Sequence, residues 1–238
     1  MLAFRSALFF ILLIVATLVI GLPIALFGFL LPRYISNGAA SLWGWVALKL
    51  MALLCGLRYD IKGSEHIPSG GRVIMSKHQS AWETIALRHI LPGNQSWVLK
   101  QELLKIPVFG WSLAATKQIA IDRGAGRKAL SMVVSQGSER LAAGDNVIIF
   151  PEGTRTPPGQ RGKYNAGGAM LAVKAQADIV PMAHNAGVFW RGKDWKLRPG
   201  TIQVVFGPPI HPDGKKASAL NAEVEEAIEA MQADLPTT

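Results

Sequence analysis

The sequence lacks several features that mark common classes of protein. It has a single cysteine, Cys55, which excludes an internal disulfide and fits a reducing compartment. It has no Gly-x-Ser-x-Gly stretch, so the nucleophile elbow of a serine hydrolase is absent. Four histidines are scattered without the spacing of zinc ligands, and we expect them to be surface or core residues and predict no metal site. They are His66, His89, His184 and His211.

Signals for nucleic acid and nucleotides are also weak. Aromatic residues make up 8% of the chain and no basic run alternates with them, so nucleic acid is not expected as a partner. Gly124 and Gly126 begin a glycine pattern that is incomplete, because position 129 is alanine and no Walker lysine follows. The net charge of +9 instead suits an anionic partner such as a membrane surface or a phosphorylated substrate.

Residues 1–57 contain no Asp or Glu, and residues 6–31 carry no charge at all. As a straight helix this apolar run would be about 39 Å long, against a hydrocarbon core about 30 Å thick. Pro23 and two glycines would either kink a spanning helix or break it into a re-entrant hairpin in one leaflet. The alternative is a secretory signal peptide, although the run is longer than the usual apolar region of about 7–15 residues.

A second apolar stretch, residues 42–57, holds Trp43 and Trp45, which suit the headgroup level of a membrane. We interpret it as an interfacial helix beside the first segment, and a buried helix of the soluble core is equally consistent. Residues 1–57 are therefore predicted to be a membrane anchor and residues 58–238 a separate polar domain. More basic residues follow the first segment than precede it, which predicts that the main body is cytoplasmic.

From residue 58 onwards, strand-like and helix-like patterns alternate. Strands are predicted over residues 58–62, 72–76, 96–100, 118–122, 146–150, 179–182 and 201–206. Helices are predicted over residues 82–90, 125–143, 166–176 and 218–232, with a turn at 105–111. This alternation predicts an α/β fold with a mixed, largely buried sheet flanked by helices.

The first candidate site follows the strand at 72–76. His78 comes just after it, and Glu83 follows five positions later. In a continuous helix the two side chains would lie roughly 140° apart, so they meet only if His78 lies on a turn before the helix. Glu83 would then accept a hydrogen bond from one ring nitrogen and leave the other as a base. The alternative is a loop histidine beside a glutamate that favours the helix N-terminus.

Two further strands end in arginine. The strand at 146–150 leads into a turn that places Glu152 and Arg155 at its carboxyl end, where open α/β sheets bind ligands. The strand at 118–122 ends at Arg123, before a predicted helix N-terminus. Arginine suits a phosphate because its planar fork binds two oxygens. The alternatives are a surface turn with a local Glu152–Arg155 pair, and an ion pair between Arg123 and Asp122.

Together these residues resemble a known family. The segments His78-x4-Glu83, Phe109-Gly-Trp111 with Ile121-Asp-Arg123, Phe150-Pro-Glu-Gly-Thr-Arg155 and Ile179-Val-Pro181 stand in the order seen in the glycerolipid acyltransferases. The resemblance covers roughly residues 62–209 and is nearest to bacterial members that acylate 1-acyl-sn-glycerol-3-phosphate. The sequence departs from the family at one position, since the usual acid five residues after the histidine is aspartate and here it is Glu83.

The resemblance implies an enzyme of phospholipid biosynthesis at the bacterial inner membrane, with its catalytic domain on the cytoplasmic side. It would transfer a fatty acyl group from acyl-CoA or acyl carrier protein to the 2-hydroxyl of lysophosphatidic acid and would use no other cofactor. Membrane lipids would be its partners. Alternative acceptors are another lysolipid or glycerol-3-phosphate, and the alternative to an enzyme is a lipid-binding module without turnover.

The resemblance also implies roles for residues. His78 would be the general base and Glu83 would hold its tautomer. Arg123 and Arg155 would bind the acceptor phosphate, with Lys105 as a weaker candidate. The turn at Glu152, Gly153 and Thr154 would shape the acceptor site. The predicted helix at 166–176 is a candidate wall for the acyl chain.

Overall fold

The computed structural model describes residues 1–192 and 194–237, and for Arg123 it describes the backbone only. The described residues form a seven-stranded sheet with helices on both faces, as predicted. The strands are β1 (Leu57–Lys62), β2 (Val73–Ser76), β3 (Gln95–Lys100), β4 (Ile119–Ile121), β5 (Asn146–Ile149), β6 (Ile179–His184) and β7 (Gly200–Phe206). The helices are α1 (Leu2–Phe27), α2 (Arg33–Leu50), α3 (Trp82–Ile90), α4 (Phe109–Ala115), α5 (Arg127–Ala142), α6 (Gly167–Ala175), α7 (Ala186–Phe189) and α8 (Ala217–Ala233).

The strands lie in the order β1-β7-β6-β2-β5-β3-β4. Only β6 and β7 are antiparallel, and every other neighbouring pair is parallel, so the sheet is mixed as predicted. All residues of β2, β5 and β6 are buried, which explains their continuous apolar runs. The carboxyl ends of β2 and β5 are neighbours, and this brings two of the predicted sites together.

The two faces of the sheet have separate cores. In β2, Ile74 belongs to one core, which also includes Phe9 of α1 and Trp82 of α3. Its neighbours Val73 and Met75 belong to the other core, which includes residues of α5, α6 and α8. This alternation follows the period of two along a strand, which sends successive side chains to opposite faces.

Helices α1 and α2 cover the first of these faces at one side. By length and composition, α1 and the longer helical segment Arg33–Cys55, which contains α2, could each cross a membrane, with mean hydropathies of 2.9 and 1.5. Helix α1 touches the rest of the molecule near both of its ends. The hydroxyl of Ser6 accepts a hydrogen bond of 3.0 Å from the Leu197 N–H, and the Ser112 hydroxyl donates one of 2.8 Å to the Gly21 carbonyl. These apolar helices suit association with a membrane.

Helix α2 begins earlier than the predicted interfacial helix at 42–57, and it continues as a π-helical turn over Met51–Cys55. Polar contacts hold the first turns of α2, and such contacts cannot be predicted from hydrophobic periodicity. Arg33 forms two hydrogen bonds with Asp145, at 2.5 and 2.8 Å, and the Asn37 side chain accepts one from the Gln95 N–H at 3.1 Å. The division of the chain at residue 57 stays a prediction.

Two local differences bear on the site. The turn predicted at 105–111 is partly helical, because a 3₁₀ turn at Gln101–Lys105 leads into α4. Strand β6 extends beyond the predicted residue 182 to His184. Both segments lie beside the candidate active site.

Candidate active site

The structure brings His78 and Glu83 together. Strand β2 ends at Ser76 and α3 begins at Trp82, so His78 lies in the connecting loop and Glu83 in the first turn of the helix. His78 Nδ1 is 2.7 Å from Glu83 Oε1. The His78 ring stacks on Phe150, with 4.3 Å between ring centroids, and this contact fixes its plane.

Glu83 is fully buried, and in the described part of the chain its hydrogen bonds all go to Oε1, whereas Oε2 has no hydrogen-bond partner. Its Oε1 also accepts hydrogen bonds from the N–H groups of Gln79 at 2.9 Å and Ser80 at 2.8 Å. Burial alone would raise the pKa of Glu83, but that pKa lies below its ordinary value, because the polar Nε2–H group of His184, 3.8 Å from Oε2, and the hydrogen bond from His78 favour the carboxylate. An ionised Glu83 makes Nδ1 of His78 the donor, which leaves Nε2 as a proton acceptor.

A second histidine, His184, lies behind this pair. Its Nε2 is 2.9 Å from the carbonyl oxygen of Lys77 and 3.8 Å from Glu83 Oε2, and its Nδ1 accepts the Ala186 N–H at 3.2 Å. This bonding requires the neutral ring with the proton on Nε2, in line with burial, which lowers the pKa of His184. The expectation of a core histidine holds, but nothing in the sequence pattern linked this residue to Glu83.

In the structure, Glu152 contacts the loop that carries His78. Its side chain is fully buried, its Oε1 is 2.8 Å from Lys77 Nζ, and its Oε2 accepts the backbone N–H of His78 at 2.9 Å. A carboxylate with protein partners on both oxygens holds the His78 loop in place. Its predicted contact with the acceptor stays a prediction.

A cavity of about 660 Å³ contains His78 and Arg155 in its lining. Its walls are mainly apolar and include residues of α1, α4 and the turn before α4. They include Phe10, Leu13, Ile14, Leu103, Ile106 and Phe109. Arg155 is exposed, and its Nη1 donates to the Gly192 carbonyl at 3.1 Å. The predicted base therefore lies in an apolar cavity that also contains an exposed cation.

A second cavity, of about 530 Å³, lies at the carboxyl ends of β3, β4 and β5. Gly153 and Thr154 line it, and the N-terminal residues of α6 also do. Val98 and Phe150 line both cavities, so the two are adjacent. The predicted acyl-chain wall at 166–176 thus faces this second cavity and does not line the one with His78.

The other predicted residues lie near these cavities. Gly153 has a φ of +68°, a left-handed conformation that favours glycine in the tight turn after β5. The backbone of Arg123 follows β4, close in sequence to Gly126 of the second cavity, and its side chain lies outside the described part of the chain. Lys105 is exposed and precedes Ile106 of the first cavity. Across residues 1–192 and 194–237, no cluster of His, Cys, Asp and Glu fits a metal ion.

Comparisons with known proteins identify the family. The model of the family "Acyltransferase" matches residues 58–185. A 1-acyl-sn-glycerol-3-phosphate acyltransferase of Pseudomonas aeruginosa is 44% identical over 96% of this chain and 88% of its own length. The human 1-acyl-sn-glycerol-3-phosphate acyltransferase alpha is 32% identical over 70% of this chain and 61% of its own length.

A solved structure shows the same fold. The crystal structure of the 1-acyl-sn-glycerophosphate acyltransferase of Thermotoga maritima matches with a TM-score of 0.80 at 21% identity. The match covers 99% of this chain and 97% of that one, so it includes α1 and α2. Family model, relatives and fold agree, and the chain therefore belongs to the acyltransferase family, among the 1-acyl-sn-glycerol-3-phosphate acyltransferases that its ordered motifs resemble.

Proposed function

We propose that this enzyme transfers a fatty acyl group from an acyl thioester to the 2-hydroxyl of 1-acyl-sn-glycerol-3-phosphate, giving phosphatidic acid. The observation that carries the proposal is the buried hydrogen bond of 2.7 Å between His78 Nδ1 and Glu83 Oε1, beside an apolar cavity. Such a pair makes the other ring nitrogen a base, and the cavity suits a lipid.

The chemistry needs no covalent enzyme intermediate. Nε2 of His78 takes the proton of the acceptor hydroxyl while the oxygen attacks the thioester carbonyl carbon. Glu83 stabilises the imidazolium that forms. The tetrahedral intermediate then expels the thiolate, which takes the proton from His78. The products are the ester and the free thiol of the donor, and His78 returns to its starting state.

The acceptor phosphate is assigned to arginine. Arg155 lies in the lining of the cavity that contains His78, and its exposed guanidinium suits a phosphate. Arg123 is the second candidate, because its backbone lies between β4 and the start of α5. A phosphate held there would leave the lipid chain to the apolar walls, which include Phe10 and Leu13 of α1.

The setting that we propose is the cytoplasmic side of the bacterial inner membrane. Acyl-CoA and acyl carrier protein, the two candidate donors, are cytoplasmic thioesters, and both reacting lipids belong to the bilayer. The catalytic body then lies on the side where the flanking basic residues are expected. Assays with each donor in turn, at one acceptor concentration, distinguish between the two thioesters.

The test of the proposal is the His78→Ala variant, purified in detergent. We expect acyl transfer to lysophosphatidic acid to fall by on the order of a hundredfold or more, since general base catalysis contributes about 10²–10⁴. The matched control is His66→Ala, because His66 lies outside both cavities and has only a weak pair with Glu65 at 3.8 Å. Normal turnover by folded His78→Ala protein would contradict the proposed base.

The same assay separates the acceptors. Glycerol-3-phosphate and a second lysophospholipid are offered beside lysophosphatidic acid with one donor. We expect lysophosphatidic acid to be used with the highest kcat/KM, since among these three acceptors it alone combines a phosphomonoester with one acyl chain. Preference for another acceptor would reassign the substrate, and lipid binding without any product would indicate a module that has lost turnover.

A further inference from the structure

Lys77, the residue before His78, is a buried cation that the proposed chemistry does not use. Its side chain is fully buried, and its Nζ lies 2.8 Å from Glu152 Oε1 and 2.7 Å from Glu229 Oε1. It also donates to the Gln160 carbonyl at 3.1 Å. Lysine is almost never fully buried unless it is paired, and removing one partner from such a pair leaves an uncompensated charge.

This ion pair is connected directly to the main chain of His78. Glu152 bonds Lys77 through Oε1 and the His78 N–H through Oε2. The His78 carbonyl accepts the Thr156 N–H at 2.8 Å, so both the backbone N–H and the backbone carbonyl of His78 are held by hydrogen bonds. A shift of the Glu152 carboxylate would therefore move the backbone that carries the base.

Glu229 brings the last helix, α8, into this arrangement. It lies beyond residues 58–185, which the family model matches, and outside the four ordered motifs. Its Oε1 also accepts a hydrogen bond of 2.8 Å from the Tyr164 hydroxyl. Burial raises the pKa of Tyr164, so its hydroxyl keeps its proton and remains a donor. Glu229 is thus fixed from two directions.

We propose that Lys77 and Glu229 are positioning residues for acyl transfer. Glu229 holds the Lys77 ammonium against Glu152, and Glu152 holds the main chain at His78, so that Nε2 meets the acceptor hydroxyl. This inference rests on the proposed role of His78 as the base. Its physical basis is that a displacement of about 1 Å at a reacting group can cost on the order of a hundredfold in rate.

The test uses the full-length enzyme with Glu229→Gln, Lys77→Met and the double variant. We expect Glu229→Gln to lower kcat on the order of tenfold and Lys77→Met on the order of a hundredfold, with the acceptor KM within about twofold. The double variant should lose less than the product of the two single losses, because both substitutions break one shared pair. A merely structural role would not separate kcat from KM in this way.

The matched control is Glu223→Gln on the same helix. Glu223 forms a partly exposed pair of 2.7 Å with Lys215, away from His78, and its loss should leave kcat unchanged. All assays are run well below the thermal midpoint of each variant, with the folded fraction measured by circular dichroism. If Lys77→Met does not fold, Glu229→Gln alone decides.

Two results would overturn the inference. One is a wild-type kcat in folded Glu229→Gln enzyme, and the other is a loss that disappears when rates are divided by the folded fraction. The His78→Ala assay separates this failure from that of the proposed function. If His78→Ala is inactive while Glu229→Gln is normal, only the positioning role fails. If His78→Ala is active, the proposed base itself is wrong.

Discussion

At the scale of single residues, the contacts of Glu83 explain why a glutamate stands where the family usually has an aspartate. Its Oε1 receives three donors, the ring of His78 and the N–H groups of Gln79 and Ser80. These donors come from the loop before α3, so the side chain must reach back from the first turn of the helix. The additional methylene supplies reach toward that loop.

The Glu83→Asp variant tests this reach. We expect kcat to fall about ten- to a hundredfold with little change in KM, because the shorter side chain cannot keep both the ring and the two N–H groups. Steady-state kinetics at saturating donor measure the effect. Glu65→Asp is the control, since Glu65 is an exposed glutamate. An unchanged kcat in Glu83→Asp would show that the longer acid is not needed.

The proposed contact between Arg155 and the acceptor phosphate can be tested by substitution. In Arg155→Ala we expect the KM for lysophosphatidic acid to rise about tenfold or more, since a paired arginine–phosphate contact is lost. The measurement compares this acceptor with a phosphate-free lysolipid, whose poor use should not change. Arg140→Ala is the control. Arg140 lies in the last turn of α5, at the opposite end of the helix from the residues that line the second cavity. Equal losses for both acceptors would contradict a phosphate site.

The sequence predicts some of these residues and not others. The His78–Glu83 contact is local, so spacing and a turn suffice to suggest it. His184 and Glu229 are invisible to such reasoning, because tertiary packing alone brings them to Glu83 and Lys77. Lys77 itself looks like a solvated residue at a strand end. Its burial depends on carboxylates from two distant segments.

At the scale of elements, periodicity located most helices and strands within one or two residues. Helix α3 has the predicted bounds, because its apolar face and its stop at Pro92 are both local signals. Periodicity does not predict the first turns of α2, since ion pairs and amide contacts hold them. It does not predict α4 either, because the aromatic segment around Gly110 has the pattern of a turn. There, close packing of the backbone decides the structure.

At the scale of elements, we predict the effect of replacing Gly110 in α4. A Cβ at this position would lie 2.4 Å from the carbonyl oxygens of Leu103 and Leu104, which are backbone atoms that cannot turn aside. We expect Gly110→Ala to lower the free energy of unfolding by about 1–3 kcal/mol and to reduce activity, because α4 and the turn before it wall the His78 cavity. Denaturant titration and the acyl-transfer assay measure the two effects.

The control for this substitution is Gly38→Ala in α2, where a Cβ would meet nothing within 4 Å. Because alanine favours a helix over glycine by about 0.5–1 kcal/mol, that variant should be as stable as the wild type or slightly more so. Equal stability of the two variants would show that the approach at Gly110 is relieved by a small shift of the turn.

At the scale of the whole molecule, the placement of α1 bears on how the enzyme meets the membrane. The contacts at Ser6 and Gly21 are about 22 Å apart along the helix, and both join α1 to the catalytic body. If these contacts persist in the membrane, a spanning α1 would draw part of the body toward the hydrocarbon core. Helix α1 runs unbroken through Pro23, so the break into a re-entrant hairpin within residues 6–31 is not present. We expect the unbroken helix to lie in one leaflet, because both contacts join it to the catalytic body.

Labelling of single cysteines in spheroplasts tests this placement in a Cys55→Ala background. Phe4→Cys and Leu30→Cys lie beyond opposite ends of the tethered stretch of α1, and both positions are exposed. We expect neither to react with a membrane-impermeant maleimide added from the periplasmic side. A spanning helix would expose one of them. Thr237→Cys is the control, and it should react only after the membrane is permeabilised.

The lining of the His78 cavity has one more consequence. Ile14 and Leu18 of α1 form part of that lining, yet they are 60% and 48% exposed, so the cavity opens beside the surface that meets the membrane. We expect the lipid acceptor to enter sideways from the leaflet without passing through water. Turnover should then follow the surface mole fraction of acceptor. Dilution of the acceptor with inert lipid should slow the enzyme even when the total amount of acceptor is constant.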